Sequence, residues 1–126
     1  MIALDAGVLI AIFDGADPHH EDARTLFLQN PTEPMTIGPI NQAEVLVGAA
    51  RESRDAQMLT DLRALGLTVT ALPDDAGPRL ARLRARTGST MPDCCVLLTA
   101  EQTDARVATF DSRLAAAAAS LGLTLA

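Results

Sequence analysis

Four acids, Asp5, Glu44, Asp93 and Asp111, stand where the chain is otherwise apolar or where a strand pattern gives way to a helix pattern. Asp5 lies inside MIALDAGVLIAIF, whose other residues are all apolar or Gly. A strand that ends in Asp and turns into a helix carries the carboxylate to the carboxyl edge of a sheet, where open α/β sheets bind ligands. The same Asp would equally serve as the N-cap of that helix. Glu44 falls among Ile40, Ala43, Val47 and Ala50, an apolar stripe at helical spacing that is expected to face inward. A carboxylate there requires an Arg partner, a raised pKa or a metal, unless the edge of the stripe reaches water. Asp93 precedes the apolar run CCVLL, and Asp111 follows ARVATF and opens SRLAAAAA. Each by itself reads as a cap or first-turn acid. Together the four imply carboxylates converging on one sheet edge. Two bare carboxylates about 4 Å apart repel by about 4 kcal/mol at an effective dielectric near 20, so such a cluster requires cations. Oxygen ligands without His or Cys suit Mg²⁺ or Mn²⁺ rather than zinc.

The elements that would position these acids alternate. Strand patterns are expected at Met1–Leu4, Met35–Ile37, Leu67–Leu72, Arg106–Phe110 and Leu123–Leu125. Helix patterns are expected at Gly7–Phe13, Pro18–Gln29, Pro39–Arg51, Ser53–Leu65, Asp74–Thr87, Pro92–Gln102 and Ser112–Leu121, three of them closed by Gly66, Gly88 and Gly122. Strands alternating with helices imply crossover units, a parallel sheet and a three-layer α/β fold. With no linker or repeat in 126 residues, one domain over 1–126 is expected.

Composition removes several classes. At 48% hydrophobic and 21% charged, the chain is not of a disordered type. All ten basic residues are Arg, which excludes P-loop and Schiff-base chemistry. Without Trp or Tyr, and with three Phe, a stacking sheet of the RNA-recognition type is not expected. The net charge of −6 argues against a broad basic nucleic-acid surface, but not against an acidic nuclease site neutralised by metal ions. Cys94 and Cys95 are adjacent and lack zinc-type partners, so they read as small buried residues in a reducing compartment. No basic residue precedes Arg24 and no apolar run reaches membrane-spanning length, so a cytoplasmic protein is expected.

The chain resembles the PIN domain, and within it the VapC toxins of bacterial VapBC toxin–antitoxin pairs. The likeness runs through MIALDAGVLIAIFD, the pair His19–His20 before EDA, NQAEVLVGAAR, LARLRARTGSTMPDCCVLLTA, ATFDSRLAAAA and LGLTL. The order and spacing of these segments carry it, since each is short. The resemblance implies an α/β/α domain that cuts RNA with Mg²⁺ or Mn²⁺ and uses Asp5, Glu44, Asp93 and Asp111 as its acids. It assigns Thr109 to the family's small hydroxyl residue before the last acid. It also implies a homodimer and a cognate antitoxin that covers the active-site groove. One departure stands out: the family often has Ser or Thr two residues after the first Asp, where this chain has Gly7.

Substrate grip in such a nuclease must come from Arg. Arg79, Arg82 and Arg86 share a helical face, which is either solvated or a docking edge for RNA or antitoxin. His19 and His20 have no partner in sequence reach and read as structural or exposed. Two other readings stand beside the nuclease. One is a non-catalytic PIN-like binding module. The other is a haloacid-dehalogenase-like phosphatase, suggested by LDAGVL but lacking that chemistry's second acid at Gly7 and its usual Lys.

Overall fold

Ile2, Ala3 and Leu4 are all buried because their strand, β1 (Ile2–Leu4), lies inside the sheet and is covered on both faces. In the computed structural model, which describes residues 1–126, ten further elements follow. They are α1 (Ala6–Phe13), α2 (His20–Gln29), β2 (Met35–Ile37), α3 (Pro39–Arg51), α4 (Asp55–Ala64), β3 (Thr68–Val69), α5 (Ala76–Thr87), α6 (Met91–Thr103), β4 (Arg106–Ala108) and α7 (Ser112–Ser120). The sheet has the order β3-β2-β1-β4 and every pairing is parallel.

Alternation along β1 builds the three layers. Ile2 and Leu4 point into a core shared with Val8 and Leu9 of α1, Ala23 of α2, Val45 of α3 and Leu62 of α4. Ala3 points to the other side, into a core with Leu83 of α5, Leu97 and Leu98 of α6, and Leu114 of α7. The chain thus has the expected α/β/α architecture. Helix α6 is buried from Cys94 through Ala100, which explains its unbroken apolar run. Both cysteines are free, and burial holds each thiol above its ordinary pKa. No helix is long and apolar enough to cross a membrane.

Differences from the sequence reading are local. LTVTAL yields only the two-residue β3, an exposed edge strand with nothing packed beyond it. Leu123–Leu125 contributes one bridge, Val107 to Leu125, rather than a strand. Pro18 sits in a turn before α2, where the Asp17 carboxylate accepts the His19 backbone N–H at 2.8 Å. Ser53 has φ 57° and so stands outside α4. Gly66, Gly88 and Gly122 have φ of 78°, 71° and 79°, the left-handed closures expected of them.

The larger correction concerns α3. Its buried residues are Asn41, Val45 and Ala49, while Ile40 and Val47 are 43% and 45% exposed. Ala43 and Ala50 are exposed as well. The stripe expected to face inward therefore faces solvent. The physical reason is that α3 carries two apolar stripes, and the buried one begins with an amide that has partners of its own in the interior.

Candidate active site

Asp5 is the first residue beyond β1. Its backbone N–H donates to Ala108 O at 3.0 Å, which extends the β1–β4 ladder by one step and fixes Asp5 at the carboxyl edge. Its side chain does not cap α1. Instead Asp5 Oδ2 accepts a hydrogen bond from the Thr109 hydroxyl at 2.8 Å. The Thr109 oxygen in turn accepts the Asp111 N–H at 3.0 Å. Asp111 is a true N-cap: its Oδ1 accepts from the N–H groups of Arg113 and Leu114 at 2.8 and 3.3 Å, which leaves Oδ2 uncommitted.

On the opposite side Asn41 ties α3 to α6. Its buried Nδ2 donates both to Glu44 Oε1 at 3.1 Å and to Pro92 O at 3.0 Å. Glu44 is exposed and held by an amide, not paired with an Arg. Asp93 lies in the first turn of α6, half-buried, with its N–H on the Thr90 hydroxyl at 3.4 Å. The cap of α6 is thus Thr90, whose hydroxyl also meets the Asp93 carboxyl and partly offsets the rise in its pKa. Sequence reasoning passed over Asn41, although its position three residues before Glu44 places both on one helix face.

None of the four acids takes part in a salt bridge. They act on one another instead. Burial raises the Asp5 pKa, and the Glu44 and Asp111 charges add to the rise against the Thr109 hydrogen bond. Burial also raises Asp93, reinforced by Asp5 and Asp111. Four chain segments, the end of β1, α3, the first turn of α6 and the start of α7, thus bring acids to the sheet edge, where their charges add to the raised pKa of Asp5 and Asp93. No three His, Cys, Asp or Glu side chains close tightly enough to cage a metal by themselves. Carboxylate oxygens are the donors of a hard cation such as Mg²⁺, which keeps several waters and takes only one or two carboxylates directly. By donor chemistry and by the lack of any basic partner, the residues fit such an ion.

The surroundings are asymmetric. Arg79, Arg82 and Arg86 line one open groove of about 330 Å³ together with Glu101. Arg79 is drawn to Glu101 at 3.5 Å and Asp75 at 3.9 Å, whereas Arg82 and Arg86 form no salt bridge. Arg86 also borders a second groove of about 480 Å³, which reaches Asp93 and Arg113. Basic groups thus run from α5 to the acids on that side. On the other side lie Asp17, His19 and Phe110, beside Asp5, Gly7 and Asp111. His19 stacks on Phe110 with ring centroids 4.8 Å apart. Nothing local in the sequence pairs those two residues. His20 holds Ala11 O at 2.8 Å through Nδ1, a structural tie between α2 and α1.

The comparisons agree with this architecture. The model of the PIN domain family matches residues 2–120. A search of the curated proteins gave no match. Among solved structures, a toxin–antitoxin complex from Klebsiella pneumoniae superposes with a TM-score of 0.76 at 22% identity, covering 92% of this chain and 91% of that one. VapC20 of Mycobacterium tuberculosis, a sarcin–ricin-loop-cleaving toxin, gives 0.75 at 17%, covering 93% and 95%. FitAcB from Neisseria gonorrhoeae gives 0.76 at 19%, covering 99% and 96%. At these identities the likeness is one of fold.

Proposed function

The chain belongs to the PIN domain family, and from that premise we propose that it is a divalent-metal-dependent endoribonuclease acting as the toxin of a toxin–antitoxin pair. The observation that carries this reading is the set of four acids, acting on one another across the sheet edge and joined in no salt bridge. Structural caps or core ion pairs have no need of that arrangement. The neighbouring structures add support: one is a toxin–antitoxin complex and another an RNA-loop-cleaving toxin. An organism that keeps such an enzyme in its cytoplasm needs it restrained, which is the antitoxin's part.

Asp5 and Asp93 would hold Mg²⁺, or Mn²⁺ in its place, with Glu44 and Asp111 completing the pocket or orienting the attacking water. The ion, when bound, supplies positive charge against the phosphodiester and makes hydroxide available near neutral pH. Thr109 keeps Asp5 Oδ2 in place and, through the Asp111 N–H, spaces the two acids. Asn41 does the same for Glu44. Arg86 and Arg113, beside Asp93, would take the phosphates flanking the cut, with Arg82 and then Arg79 further along. The antitoxin would use the mixed groove of about 390 Å³ in which Leu9, Ile10, Phe13 and Met58 lie among Glu44, Glu52 and Arg54. The exposed stripe on α3 offers a face for a second copy.

The test is cleavage of total RNA by the purified chain with Mg²⁺, with Mn²⁺ and with EDTA. Cleavage with either ion and none with EDTA is expected. Full activity in EDTA, or none under any condition from folded protein, rejects the reading. Expression alone should arrest growth, and co-expression with the cognate antitoxin should relieve it.

A further inference from the structure

We propose that His19 and Phe110 form a stacking platform for one nucleobase of single-stranded RNA, next to the phosphodiester that is cut. The inference rests on the nuclease reading and adds to it where the substrate's base lies. This is the one aromatic pair in the molecule, with ring centroids 4.8 Å apart and planes 14° from parallel. In a chain with three Phe and no Trp or Tyr, it stands at the acid edge, with Phe110 packed partly on the core beneath.

The pair is built to hold still and to stay open. Phe110 lies between Thr109 and Asp111, both fixed by the hydrogen bonds described above. The His19 backbone N–H is held by Asp17 Oδ1 at 2.8 Å, and its ring Nδ1 meets Asp22 Oδ2 at 3.2 Å. Those contacts engage the ring's edge, and the His19 side chain remains 50% exposed. One face covers Phe110, and the half-exposed ring lines the open groove beside the acids.

The groove of about 360 Å³ beside the pair also has Asp5, Gly7, Asp17 and Asp111 on its walls. Asp5 and Asp111 belong to the metal pocket and face the phosphodiester that is cut; Asp17, on the far wall, disfavours a further phosphate but tolerates a neutral base. Gly7 leaves the floor open: a side chain there would start 3.8 Å from Asp5 Oδ2. Phosphates are thus directed to the Arg86–Arg113 side and a base to the His19 side. That polarity orients the strand across the acids.

The experiment compares short single-stranded RNAs, intact or lacking the base beside the cut, as substrates of the unaltered protein, His19→Ala and His19→Phe. Base–aromatic stacking predicts about a tenfold loss in kcat/KM when the base is removed from the substrate of the unaltered protein. His19→Ala should lose a similar amount on intact RNA and little more on the abasic one. His19→Phe should recover most of the loss. Equal cleavage of intact and abasic RNA by the unaltered protein overturns the proposal, as does an equal penalty on both RNAs for His19→Ala. If no RNA is cut at all, the nuclease reading fails separately, and RNA carrying 2-aminopurine decides the platform. Its fluorescence should be quenched by the unaltered protein and not by His19→Ala, and equal signals with both overturn it. The chain's lack of Trp and Tyr keeps the background low.

Discussion

At the scale of single residues, each acid has neighbours that separate catalysis from stability. Asp93→Asn keeps the side chain's size and removes a charge that Asp5 and Asp111 oppose. Without metal its melting temperature should hold or rise. Cleavage should fall by about a hundredfold or more, and stabilisation by Mg²⁺ should shrink. Melting curves with and without Mg²⁺, beside a cleavage assay, check both; a lower metal-free melting temperature with near-normal cleavage would return Asp93 to a structural role. Glu44→Gln should behave alike but more mildly, since the Asn41 hydrogen bond can persist to the amide oxygen. The pH dependence has a defined sign. Asp5 and Asp93 hold their protons more tightly in the folded state than in the unfolded one. In EDTA, stability should therefore rise as the pH falls from neutral through those raised values toward the ordinary carboxylate pKa of about 4. Glu33 acts the other way: Arg106 and the N-terminal amine lower its pKa, so its contribution is lost only as the pH falls through that lowered value. A melting temperature that declines steadily from pH 7 to pH 4 in EDTA would contradict the repulsive cluster.

At the scale of elements, α3 and its approach to α6 bear most of the site. Gly38, just before α3, is needed for its missing side chain. A Cβ there would stand 2.9 Å from the buried Thr99 Oγ1 and 3.4 Å from Asn41 Oδ1. Thr99 is stiff and fully enclosed in α6, so it cannot swing away. Gly38→Ala should cost about 1–3 kcal/mol and weaken cleavage as well, because Asn41 and Glu44 shift with the helix. Denaturant unfolding measures the first effect and the RNA assay the second. Gly48, in the interior of the same helix, has open space where its Cβ would be. Gly48→Ala should stabilise by about 0.5–1 kcal/mol and raise the melting temperature by a few degrees. It borders the groove of Leu9, Phe13, Glu44 and Met58, so its effect on antitoxin affinity reads the docking site independently.

At the scale of the whole molecule, an outward apolar stripe on α3 argues for self-association. Ile40, Ala43, Val47 and Ala50 present it to solvent beside the acid edge. Val47→Asp places a charge in its middle without touching either core. Sedimentation should show a dimer for the unaltered chain and a monomer for the variant, with the melting temperature lowered only by loss of the partner. A variant that stays dimeric would move the interface elsewhere.

Much of this was legible along the chain because it depends on local rules. Apolar strands ending in Asp5 and before Asp111, glycine closures at 66, 88 and 122, and the alternation of strand and helix all follow from propensity and period. Those same rules, with the resemblance, singled out the acids and Thr109. What only the tertiary structure decided are matters of rotation and long-range meeting. Periodicity could not choose between the two apolar stripes of α3, because the choice depends on what packs against it: the face of Asn41, Val45 and Ala49 is buried, with Asn41 Nδ2 on Pro92 O, while the more hydrophobic face is not. Short edge segments such as LTVTAL and LGLTL have strand composition but no neighbour on one side, so few of their residues pair. His19 and Phe110 meet across 91 residues only because the α1–α2 turn and the end of β4 share one sheet edge. Contacts of that kind belong to the packing of layers, and no local pattern in the sequence encodes them.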